Sequence, residues 1–142
     1  MKHLSALIIL IWASVALATD ETSVLGAWKY VGYSYQEHKY PVSDPGLSLT
    51  FHFSEDHLVQ LRWDYAQEQG FCERVAEYEV RPNQILYQKV IWVNPMNDLS
   101  CSKDIDMQMD RESLTPFQFN ENQLIFQLTL GDQPLYYILE KE

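Results

Sequence analysis

Two consecutive segments of the chain alternate apolar and polar residues with a period of two. Leu47, Leu49, Phe51 and Phe53 fall on one side of the first, with Ser48, Thr50 and His52 on the other. After the polar turn Ser54-Glu55-Asp56-His57 the pattern resumes, Val59, Leu61, Trp63 and Tyr65 standing against Gln60, Arg62 and Asp64. Strict alternation describes a strand with one buried and one wet face, and two such strands joined by a short polar turn form a hairpin. A hairpin of this kind must cover its apolar face with more sheet. That requirement governs the reading of the rest of the chain.

Upstream, an aromatic-rich strand is expected at about 26–36, opening on Gly26-Ala27-Trp28. The stretch 37–46, with Pro41, Pro45 and Gly46, reads as a loop. Beyond a polar turn at 66–70, a strand at about 71–81 places Cys72, Arg74, Ala76, Tyr78 and Val80 on one face. Phe71, Glu73, Val75, Glu77 and Glu79 take the other, and the three glutamates mark that face as the wet one. A strand at about 84–93 is apolar on both faces, so the pattern does not choose its inner side. Residues 94–106 form the longest irregular segment. A strand follows at about 106–111, resumed at 114–119, then one with Leu124, Phe126, Leu128 and Leu130 inward, and a last one at 135–141. Eight short strands without a helix predict one all-β domain, an antiparallel up-and-down meander closed into an eight-stranded barrel. Such a barrel is either filled by its side chains or holds one small ligand. An open β-sandwich is the alternative.

The ends and the charge narrow the setting. Met1-Lys2-His3, the apolar run Leu4–Val15 and Ala16-Leu17-Ala18 have the form of a signal peptide cleaved after Ala18, leaving residues 19–142 as the single domain. The apolar run is too short to span a bilayer comfortably, so a secreted or periplasmic protein is expected rather than an integral membrane protein. Cleavage removes one lysine and no acid, taking the formal charge from −10 to −11. A field of that sign repels nucleic acid and anionic membrane surfaces. Cys72 and Cys101, an even pair in an oxidising compartment, are expected to form a disulfide. If the strands on either side of Pro82 are antiparallel neighbours, the segment after the second lies beside Cys72, which suits that bridge.

Gly26 and Trp28, at the start of the first strand of an exported eight-stranded barrel, resemble the lipocalin-like (calycin) group. The resemblance covers the mature chain as architecture and two residues as motif. It implies that Trp28 plugs the closed end of the barrel beneath a basic residue late in the last strand, for which Lys141 in Leu139-Glu140-Lys141 is the candidate. The chain lacks the Thr-Asp-Tyr motif that many lipocalins carry before their seventh strand, Asn120-Glu121-Asn122 standing roughly there, and it lacks their C-terminal helix. A small exported barrel inhibitor of bacterial metalloproteases is a second resemblance.

No catalytic signature is present, and no cofactor motif. His52 and His57 flank one turn without a third metal ligand. Met96, Met107 and Met109 suit a core better than a copper site, and Asp98, Asp104, Asp106 and Asp110 lack the ordered spacing of a calcium loop. The expected function is therefore non-catalytic binding of a small apolar or amphipathic molecule. Arg74, on the inward face beside Cys72 and Tyr78, is costly to bury alone. It is the candidate anchor for a carboxylate such as that of a fatty acid, with Phe51, Trp63 and Tyr78 lining the apolar part. The competing class is a protein-binding module, such as a secreted protease inhibitor or an envelope interaction domain. It would display its apolar groups on a loop such as Tyr40–Pro45 or Val93–Leu99.

Overall fold

The computed structural model describes residues 23–65 and 70–142. The signal peptide expected over 1–18 and most of the turn expected over 66–70 lie outside the described residues. Nine strands follow one another: β1 Gly26–Tyr35, β2 His38–Pro41, β3 Ser48–Phe53, β4 Leu58–Tyr65, β5 Gly70–Arg81, β6 Ile85–Val93, β7 Glu112–Asn120, β8 Gln123–Leu130 and β9 Gln133–Lys141. All neighbouring pairs are antiparallel, and β1 pairs with both β3 and β9, so β1 and β3–β9 close an eight-stranded up-and-down barrel. The hairpin read from 47–65 is present, Phe51 opposite Leu61 and Leu49 opposite Trp63.

β2 is a correction, since it falls in the stretch expected to be a loop. Gln36 and Glu37 both take positive φ, the conformation of a two-residue hairpin turn, and this folds His38 back against Tyr35. The usual Asn-Gly signal for such a turn is absent, which is why the sequence hides it. Gly32 permits the close approach of β2: a Cβ there would overlap the Tyr40 carbonyl oxygen.

β6 resolves its two-sided apolar pattern through a bulge. Val75 faces Trp92 and Ala76 faces Val90, leaving Ile91 as an extra residue. Before the bulge Leu86, Gln88 and Val90 point inward; after it Val93 does, while Ile91 and Trp92 are exposed. The strand expected at 106–111 is also corrected. Short 3₁₀ turns at Leu99–Lys103 and Ile105–Met107 occupy the region, and β7 begins only at Glu112. Asp98 and Asp104 accept hydrogen bonds from the backbone N–H groups of Ser100 and Asp106, an alternative to strand pairing that aspartate side chains commonly offer.

The core is the inward face of the barrel, with Phe53, Leu86, Leu124, Leu139, Val59 and Cys72 sealed from solvent. Leu130, expected inward, is 55% exposed at the end of β8, where the barrel has run out of facing residues. At one end Trp28 lies opposite Lys141, and the lysine ammonium sits 5.4 Å from the ring centroid. The indole N–H donates to the Val24 carbonyl at 2.7 Å, and Phe119 packs at 6.1 Å. Gly26 has φ +105°, and a Cβ there would press on the lysine stem at 3.3 Å. Gly26, Trp28 and Lys141 thus meet at this end of the barrel.

Candidate functional site

The other end of the barrel is roofed by residues 94–111. Cys101 bridges to Cys72 at the start of β5, with the two Cα atoms 5.6 Å apart. Met107, 3% exposed, plugs the interior, whereas Met109 lies outside at 54%. A second tie was hidden in the sequence. Glu73, expected on the wet face, is buried, because the segment after β6 folds across it. Its carboxylate accepts from the side-chain amides of Gln60 and Asn94, and its backbone N–H donates to the Asn97 side chain at 2.8 Å. The Asn97 amide returns a bond to the Glu73 carbonyl at 2.9 Å. Strand parity could not reveal this, since Asn94 and Asn97 come from an irregular segment more than twenty residues away. Glu77 and Glu79, on the same face beyond the roof, are exposed as expected.

Beside the plug the mouth holds a cavity of about 250 Å³ lined by Leu47, Leu49, Phe51, Leu61, Trp63, Tyr65 and Tyr137, with Asp104 and Asp106 from the roof. The Trp63 indole donates to the Tyr65 hydroxyl at 2.9 Å, which fixes both rings. Of the residues predicted to line a ligand, Phe51 and Trp63 stand here. Tyr78 stands at the opposite end, edge-on to Phe53, its hydroxyl donating to the Ser54 carbonyl at 3.0 Å. It borders a different groove, with Val24, His57 and Phe117.

Arg74 lies in the interior one layer below the mouth, opposite the cavity-lining Leu61, and is 4% exposed. Its Nη2 donates to the Gln88 side-chain oxygen at 3.1 Å. Nε and Nη1, which carry three N–H donors, have no protein acceptor. Among the described residues no carboxylate pairs with it directly. Burial lowers its pKa from the usual arginine value, and Asp106 and Asp104 oppose that shift from a distance. The aspartates thus offset part of the burial cost without forming an ion pair.

Two tyrosines of the barrel wall feel the same burial. Tyr30 and Tyr137 pack with ring centroids 5.0 Å apart. Burial, then Tyr137 and Tyr33, push Tyr30 up to about 12. Burial, then Asp106 and Asp104, raise Tyr137 as well. Below the ordinary tyrosine value of 10.0 the folded and unfolded chains hold the Tyr30 proton alike. Between that value and about 12 the unfolded chain releases it while the folded chain keeps it. Stability is therefore expected to fall as pH rises through this window. Urea melts at about pH 9 and about pH 11 should show the loss, and Tyr30→Phe should reduce it.

His52 is exposed, and His57 packs its ring 5.7 Å from Tyr78. Among the described residues no three His, Cys, Asp or Glu side chains gather as a metal site, and no helix is long and apolar enough to cross a membrane. Comparison with protein families, curated proteins and solved structures gives no match to the chain.

Proposed function

We propose that this is an exported, lipocalin-like, non-catalytic barrel that binds a small amphipathic acid in its mouth, with Arg74 as the anchor. The observation that carries the reading is the buried guanidinium with two nitrogens lacking acceptors. An ionised group left without partners in an apolar interior costs several kcal/mol, and a bound anion supplies what the protein withholds. Charge-assisted hydrogen bonds from arginine to a carboxylate are among the stronger ones, which favours an acid over a neutral polar ligand. Trp63, Phe51 and Tyr65 offer the apolar wall that small-molecule sites usually have. Export rests on the form of residues 1–18 and on the disulfide, a bond that persists in oxidising compartments.

The cavity shapes the ligand, with a small aromatic-lined mouth of about 250 Å³. The open mouth admits a compact acid along its aromatic wall, and a longer chain would run outward past the rim. Titration of 3-phenylpropionate and of palmitate, followed by tryptophan fluorescence, tests this. Saturable binding is expected, reduced at least about tenfold in Arg74→Met, the loss of roughly one charge-assisted hydrogen bond. Equal affinity in both proteins, or no binding in either, removes the anchor role.

A second reading, a protein-binding module, is favoured by Met96 and Leu99, 77% and 89% exposed on the roof. Under that reading substitution of those two residues by serine abolishes partner capture, while the mouth binds nothing.

A further inference from the structure

Charges of both signs lie at this end of the barrel, the acids lining the mouth and Arg74 buried beneath it, and they do not neutralise one another. Asp104 and Asp106 belong to the cavity lining, and Arg74 projects into the same interior from the β5 position opposite Leu61. Neither aspartate is in ion-pair contact with the guanidinium, whereas Arg62 does engage Asp64 at 2.8 Å on the outer face of the neighbouring strand. Arg74 is 4% exposed, with Nε and Nη1 unpartnered. One positive pole therefore lies deep in the barrel and one negative pole lies at its rim.

A simple anion meets this arrangement badly. It must pass two carboxylates on a protein whose mature charge is −11. A simple cation is drawn to the rim, where Trp63, Tyr65 and Tyr137 add the attraction of aromatic faces, but it leaves the guanidinium without acceptors. A ligand bearing both charges satisfies both poles and bridges the gap that the missing ion pair leaves open. We infer that the ligand of this site is a small zwitterion, its carboxylate on Arg74, its ammonium at Asp104 and Asp106, and an aromatic or short aliphatic body along Trp63, Tyr65 and Tyr137. The inference rests on the proposed binding function and sharpens its ligand class to that of an amino acid or a close relative. The raised Tyr137 phenol is consistent with it. After burial, its next causes are Asp106 and Asp104, so the field of the pair reaches the inner wall of the cavity.

Three probes of one size separate the poles: 3-phenylpropionate, phenethylamine and phenylalanine. They are titrated by calorimetry into the wild type, Arg74→Met and the double variant Asp104→Asn/Asp106→Asn. Asparagine keeps the side-chain oxygen that accepts from the Asp106 backbone N–H, so the roof turn is retained. In the wild type phenylalanine should bind at least about tenfold more tightly than either single-charge probe, the increment of one further charge-assisted contact. In the double variant phenylalanine should lose that advantage, while 3-phenylpropionate should bind more tightly than in the wild type. If 3-phenylpropionate matches phenylalanine in the wild type and loses affinity in Arg74→Met, the zwitterion is wrong and the acid-binding function stands. If phenethylamine matches phenylalanine, the carboxylate pole is wrong. Absence of binding by all three overturns this inference together with the acid-binding function.

Discussion

Replacing Trp28 by alanine is expected to destabilise the protein by about 3–5 kcal/mol, the range for removing a large buried aromatic. The residue is 3% exposed and touches both edges that close the barrel, with Phe51 on β3 and Lys141 on β9 as its register partners. Its loss opens a void that Val24, Phe119 and the lysine stem line from three directions. The walls cannot collapse into it without disturbing the β1–β9 pairing. The indole N–H bond to Val24 and the ammonium above the ring disappear at the same time. In a domain of this size the change corresponds to a drop in melting temperature of about 10–20 °C. Trp92, 42% exposed on the outer wall, is the internal control, and its alanine variant should shift the midpoint by far less. Urea denaturation of the two variants makes the comparison. A loss below about 1 kcal/mol at Trp28 would contradict its place as the closing plug.

Cys72→Ala carries the second large effect. The bridge spans 29 residues, and the chain-entropy account assigns such a loop about 3.5 kcal/mol. Cys72 is also fully buried in the core, so the truncation adds a packing loss to the entropic one. The cost should not be confined to melting. The roof would remain tied by Glu73 with Asn94 and Asn97, but the turn that inserts Met107 would lose its anchor at Cys101. A clear fall in melting temperature is expected, together with faster amide exchange across 99–111. Wild-type protein in reductant should reproduce both. Two free thiols in freshly exported material would show that the bridge is not part of the working protein.

The barrel was legible because its strands obey parity. Leu49, Phe51, Leu61 and Trp63 point inward as their spacing dictates, and the same rule places Arg74 among them. Closure at Trp28 and Lys141 was available from the resemblance, since two residues at opposite ends of a chain carry no local signal of contact. What escaped the sequence was produced by irregular backbone. The turn at Gln36-Glu37 takes positive φ without a glycine, the Ile91 bulge reverses parity within one strand, and Glu73 owes its burial to Asn94 and Asn97. The site shows the same division. Its aromatic wall lies on regular strands and could be read in advance. Asp104 and Asp106 lie on a roof whose 3₁₀ turns have no hydrophobic period to betray them, so spacing alone described them as a solvated acidic loop.

The most direct test of a ligand at Arg74 is native mass spectrometry of the protein purified from its own source without denaturation. The account predicts a population heavier than the polypeptide by one small molecule, absent when Arg74→Met is prepared in the same way. A wild-type spectrum showing only the bare, disulfide-bonded chain would contradict it.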